Sequence, residues 1–170
     1  MLATLITLAG CSLKDNKQQK TEAPVFEKGT FGYDAQFFTK NNIETVALTD
    51  STTGAMVLIV PAYQGRVMTS SAQGNKGNSF GWINYSYIES GKKSTQFNPY
   101  GGEERFWIGP EGGPFSIYFK KGQEQVFESW VVPKEIDTEP FEIVSQTSAS
   151  AAFKKDFTLV NASGIEMPVG

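Results

Sequence analysis

Histidine is absent from all 170 residues of the chain. Without it, a Ser-His-Asp triad, a Cys-His nucleophile pair and a His-ligated zinc site are excluded within this sequence. Cysteine is nearly absent too: Cys11 stands alone and has no internal disulfide partner. A basic stripe is also missing, with 15 Lys and Arg against 18 Asp and Glu and a formal net charge of -3. Such a balance argues against a phosphate-backbone partner, so nucleic acid is not expected as a ligand. Neither glycine pair of the chain stands in GxxxxGK[ST] or in GxGxxG before a helix, and no phosphate loop follows. No repeat of fixed period points to a propeller or solenoid, and neither a cofactor nor a metal is expected.

What is present is Gly, Phe, Tyr and Thr without sustained helical heptads, the composition of strands and turns in one domain. The N-terminus reads "LITLAGC", a short apolar run from Leu2 to Leu8, then Ala9, Gly10 and Cys11. This resembles the lipobox of bacterial lipoproteins, whose thiol is acylated and whose preceding peptide is removed. Residues 1–11 are accordingly expected to be a lipoprotein signal ending at Cys11, and 12–25 a polar tether. Residues 26–170 would be the domain, held at the membrane through lipid on Cys11, on the periplasmic or outer-membrane side of a bacterial envelope. The apolar run is too short to span a bilayer. The alternative is a buried N-terminal strand.

Tyr33, Phe37 and Phe38 in "FGYDAQFFTKNN" share one face of a short helix. "IETVALTDSTTGAMVLIV" places two β-prone runs, Ile43 to Thr49 and Ala55 to Val60, around a turn, which predicts a hairpin. Another strand is expected from near Arg66, with Gly65 where a bend or bulge is needed. Further strands are expected in the aromatic run "WINYSYI", in "FSIYF" with Phe115, Ile117 and Phe119 on one face, in "QVFESWVV", in "FEIVSQTS" and in "AFKKDFTLV", with a turn at Asn161 to Gly164. Seven to nine strands and one N-terminal helix make an all-β chain, an antiparallel β-sandwich.

The densest chemistry lies in "NPYGGEERFWIGPEGG". The glycines supply positive φ for turns. If the segment between them is a strand, Glu103, Arg105 and Trp107 share one face and Glu104 and Phe106 the other. Carboxylate, guanidinium and indole together suit a sugar, whose hydroxyls need polar partners and whose C–H face suits an indole. The competing reading is an Arg105 ion pair with Glu103 or Glu111 and Trp107 in the core. Glu103 and Glu104 as a glycosidase pair is disfavoured, since neighbours in a strand face opposite sides.

Taken together, "TFGYDAQFFTKN", "PAYQGRVMTSSAQGNKGNSFGWINY", "NPYGGEERFWIGPEGGPFSIYF" and "FTLVNASG" resemble an uncharacterised family of bacterial secreted proteins and lipoproteins. That family looks related to the galactose mutarotase-like, or aldose 1-epimerase-like, superfamily. The resemblance implies a β-supersandwich binding carbohydrate on its concave face, with the chain carrying the N-terminal part of such a domain. It places Arg66 near the groove, and Glu103, Arg105, Trp107 and Glu111 along it, as saccharide-binding residues. The enzymes of that superfamily use a histidine acid and a late glutamate base, and neither has a counterpart here. No catalytic residue is therefore assigned. The expected function is saccharide binding by a cell-envelope lipoprotein, the alternatives being an epimerase-type enzyme in a longer protein or a structural, interaction lipoprotein.

Overall fold

A computed structural model describes residues 24–170, so the expected lipidation site at Cys11 and nearly all of the tether lie outside the described residues. Regular structure begins with helix α1, Phe31–Lys40, whose N-cap Thr30 accepts a hydrogen bond from the Tyr33 N–H through its hydroxyl. The helix buries Phe31, Phe37 and Phe38 and leaves Lys40 in its last turn, where a cation suits the helix dipole. Strands β1, Val46–Thr49, and β2, Met56–Val60, form the expected hairpin. Its turn is held by Asp50, whose carboxylate accepts from the Thr52 N–H and the Thr53 hydroxyl.

Strand β3, Arg66–Ser71, adds antiparallel to β2 and completes a three-stranded sheet in the order β1-β2-β3. The register shifts after Leu58: Leu58 faces Thr69 while Ile59 faces Val67, so Met68 is the extra residue of a bulge. Burial changes phase there. Thr69 and Ser71 are buried beyond the bulge, Arg66 and Met68 before it, and the bulge thereby turns Arg66 inward. The bend expected at Gly65 is present as well, with Gln64 and Gly65 both at positive φ.

The remaining strands pair as two antiparallel hairpins: β4, Glu142–Gln146, with β5, Ala151–Lys154, and β6, Phe157–Val160, with β7, Glu166–Val169. The seven strands of the described residues are all antiparallel, and the fold is all-β with a short N-terminal helix. Three expected strands are absent. "WINYSYI" contains a second helix, α2, Tyr85–Glu89, because the Asn84 side chain caps the Tyr87 N–H and starts a helical turn against the β propensity of the tyrosines. "QVFESWVV" contains a single 3-10 turn, Phe127–Ser129. In "FSIYF" four consecutive residues, Ser116, Ile117, Tyr118 and Phe119, are buried while Phe115 is exposed, an irregular segment rather than an alternating one.

Two apolar cores result. One joins α1, the β1-β2-β3 sheet and α2 through Phe31, Phe38, Leu58, Val60 and Met68; the other gathers Ile117, Tyr118, Phe119, Ile136 and Leu159 under β6 and β7. Within the first, Asp34 is 1% exposed and accepts from the hydroxyls of Tyr85 and Ser79. Burial raises its pKa although both hydroxyl donors oppose the rise. The folded state therefore holds the proton more tightly than the unfolded chain, and the ionised carboxylate costs stability at neutral pH. That cost shrinks as pH falls through the raised folded pKa towards the ordinary carboxylate value. Asp34→Asn is expected to flatten this part of the stability profile, read as denaturant midpoints down the acidic range. An unchanged slope in the variant would assign the pH dependence to other groups.

Candidate functional site

A polar network lies where the two cores meet. Arg66 of β3, only 3% exposed, donates from Nη1 to the Gly101 carbonyl and from Nη2 to Gln64 Oε1, both at 2.7 Å. Gln64 donates in turn to the carbonyl of Ile136, tying the turn before β3 to the second core. The next residue, Asp137, is 2% exposed and accepts from Arg105 Nη2 at 2.8 Å and from Asn98 Nδ2 at 2.5 Å. Asn98 Oδ1 accepts from the Tyr87 hydroxyl at 2.7 Å and from the Ser94 N–H at 2.9 Å. Every functional group of Asp137 and Asn98 is thus occupied, as buried polar groups require.

The arginines are less completely matched. The Nε atoms of Arg66 and Arg105 are buried without a hydrogen-bond partner. Burial, reinforced by the like charge of Arg105, lowers the Arg66 pKa to about 10, so it remains a cation at neutral pH. Burial also lowers that of Arg105, against the pull of Asp137. The Arg105 guanidinium carbon lies 4.8 Å from the Phe97 ring centroid and 4.4 Å from that of Trp107, so two aromatic faces fix its plane.

Above this network opens a cleft of about 400 Å³, lined by Arg66, Trp82, Phe97, Pro99 and the run from Gly101 to Arg105. Its wall is a close backbone approach. Gly102 has φ near 112°, and a Cβ there would stand 2.6 Å from Arg66 Cδ; Gly101 has φ near 94°, and its Cβ would fall 2.2 Å from the Trp82 carbonyl oxygen. Only glycine fits either place without displacing the Arg66 stem or the backbone. Trp82 is 63% exposed at the cleft, with its apolar ring in water.

Glu103 and Glu104 are exposed, and neither stands in a strand. The alternation expected from Glu103 to Trp107 therefore does not apply. Both carboxylates reach back to the outer edge of β3: Glu104 Oε1 accepts from the Val67 N–H at 2.9 Å, and Glu103 Oε1 accepts from the N–H and hydroxyl of Ser70 at 2.5 and 2.8 Å. They complete edge amides that no neighbouring strand pairs, as charged residues at sheet edges often do.

Of the residues singled out from the sequence, Arg66, Glu103 and Arg105 line this one cleft. Trp107 and Glu111 do not. The Trp107 indole N–H donates to Glu111 Oε1 at 2.8 Å, and its ring stacks on Tyr118 with centroids 5.0 Å apart. Tyr118 stacks on Trp130 and Trp130 on Phe127, so Trp107 belongs to an aromatic column of the second core. The competing reading, Trp107 in the core with Arg105 paired to Glu103 or Glu111, holds for Trp107, which packs against the second core, while Arg105 pairs with Asp137 instead. Trp82, Phe97, Asn98 and Asp137 carried no distinguishing motif. The one usable signal was a tryptophan after glycine in the polar stretch "GNSFGW".

A second hollow, of about 370 Å³, is lined by Ile117, Phe119, Val131 and Val160 with Lys120, Lys121, Gln123, Glu128 and Asn161, and neither an arginine nor a tryptophan stands in its lining. Fold and cleft together define a small antiparallel β domain with an aromatic-rimmed, guanidinium-floored cleft. Residues 29–170 match a family of unknown function, DUF6786, and the chain belongs to that family. No curated protein and no solved structure matches the chain.

Proposed function

We propose that this chain is a saccharide-binding domain of galactose mutarotase-like kind, held in a bacterial cell envelope through lipid on Cys11. The observation that carries the reading is the convergence, in one cleft, of an exposed tryptophan face, an arginine of fixed plane and two carboxylates. A pyranose presents a C–H face that stacks on an indole and hydroxyls that both donate and accept, and this lining serves each. Arg66, Glu103 and Arg105 keep the role expected of them, while Trp82 takes the place expected of Trp107. The proposed role is binding: ring opening needs a paired proton donor and acceptor, and none is assigned here. A β-sandwich architecture and the kinship with mutarotases belong to the same proposal.

Calorimetric titration of the folded chain with hexoses and short oligosaccharides tests it. Binding is expected, and Trp82→Ala is expected to weaken it about tenfold, roughly 1.4 kcal/mol, with the fold retained. An interaction lipoprotein is the second reading, favoured by Phe115 and Phe127, which are 63% and 71% exposed. Protein capture without saccharide binding would select it.

The anchor is tested separately. Metabolic labelling of the producing bacterium with a fatty-acid analogue is expected to mark the protein, and Cys11→Ala to abolish the mark. Equal labelling of the variant would remove the lipid from the proposal. Among the described residues no helix is long and apolar enough to cross a membrane.

A further inference from the structure

The charges beneath the cleft do not balance. Arg66 and Arg105 are close enough for their like charges to act on each other, and Asp137 is bonded to Arg105 alone, at Nη2. Arg66 spends both terminal nitrogens on neutral acceptors, the Gly101 carbonyl and the Gln64 amide oxygen. The buried floor thus carries two cations and one anion. Glu103 and Glu104 also line the cleft, but they are exposed and turned to the amides of β3. Water and salt screen such exposed charges far more than charges in a low-dielectric floor. Arg105 further keeps Nη1 without a hydrogen bond among the described residues, although its plane is already fixed by Phe97 and Trp107.

We infer that the saccharide this cleft prefers is acidic, a uronate whose carboxylate meets Arg105 Nη1 and offsets the excess charge of Arg66 while its ring lies on Trp82. A planar carboxylate matches a guanidinium edge, and a donor held in place before binding loses little entropy on meeting it. A single negative charge suits a floor with one excess positive charge. A phosphate dianion would overcompensate it and meet the carboxylates of Glu103 and Glu104. The inference rests on the proposal that the cleft binds saccharide.

The test titrates the full chain in parallel with galacturonate, galactose, glucuronate, glucose and inorganic sulfate, at low and at high salt. Each uronate is expected to bind about tenfold more tightly than its neutral counterpart, with the preference shrinking in salt. Arg105→Lys, which keeps the charge but loses the planar donor edge, is expected to erase most of that preference. Glu104→Gln keeps an oxygen for the Val67 N–H and removes a competing charge; it is expected to raise the ratio of galacturonate to galactose affinity severalfold. Because Glu104 is exposed, this variant remains informative if the Arg105 variant folds poorly. Equal affinity for galactose and galacturonate overturns the acidic preference and leaves saccharide binding standing. Sulfate binding as tightly as the uronates shows an anion site without sugar recognition and overturns the inference. Failure of all four sugars to bind overturns both.

Discussion

Asp137→Ala is expected to lower the free energy of unfolding by about 3–5 kcal/mol, the usual cost of removing one partner of a buried ion pair. The side chain is 2% exposed and accepts from a guanidinium and an amide. Its removal strands the Arg105 cation and the Asn98 amide where water reaches poorly, and it doubles the uncompensated positive charge of the floor. The effect also spreads in space. Asn98 holds the loop between α2 and Gly101 through Tyr87 and Ser94, while the Ile136 carbonyl beside Asp137 holds Gln64 and Arg105. Asp137 is therefore a tie between the two cores, and losing it is expected to reduce the cooperativity of unfolding. Asp137→Asn retains an acceptor oxygen and the shape, so a smaller loss is expected. Urea denaturation followed by tryptophan fluorescence and by far-ultraviolet dichroism reads both quantities. A loss under about 1 kcal/mol with coincident transitions would show that the pair contributes little beyond its desolvation cost.

What the sequence could disclose was local. The β1-β2 hairpin was legible because two β-prone runs flank "DSTTG", whose Asp50 closes the turn upon its own neighbours. Helix α1 was legible because Phe37 and Phe38 recur one turn after Tyr33; its Thr30 cap is seen only in the structure. Helix α2 was not, because a single Asn84 cap outweighs the strand preference of a tyrosine-rich run. From Glu103 to Trp107 the alternation rule failed because that segment bonds to β3 mainly through carboxylates and forms no ladder that would fix a period of two. Asp137 was invisible for another reason. "KEIDTEP" reads as a solvated acidic loop, and its partners stand 32 and 39 residues away in the chain. Only tertiary packing makes that carboxylate structural.

Trp107, against Arg105, and Trp82, at the cleft, are expected to respond oppositely to truncation. Trp107 stacks on Tyr118, lies 6.3 Å from Trp130 between ring centroids, covers the Arg105 guanidinium and donates to Glu111. Trp107→Ala removes a large side chain from a packed column and uncovers a cation, so a loss of about 3–5 kcal/mol is expected. Trp82 is 63% exposed and its backbone carbonyl, which accepts from the Gly102 N–H at 2.8 Å, survives substitution. Trp82→Ala is therefore expected to change stability by no more than about 0.5 kcal/mol, and its effect should fall on saccharide binding instead. Trp107→Phe keeps an aromatic cover over Arg105 but loses the indole N–H and the pyrrole part of the stacked ring; an intermediate loss is expected. Thermal unfolding and saccharide titration on the same preparations give two readouts for each variant. If Trp82→Ala unfolds the domain while Trp107→Ala leaves it stable and abolishes binding, the plate is Trp107 after all. The cleft floored by Arg66 then loses its claim to the sugar. If instead Trp82→Ala alone loses binding at unchanged stability, the ligand lies on the side of Arg105 that Phe97 and Trp82 share, and the aromatic column behind Trp107 serves to hold that arginine in place.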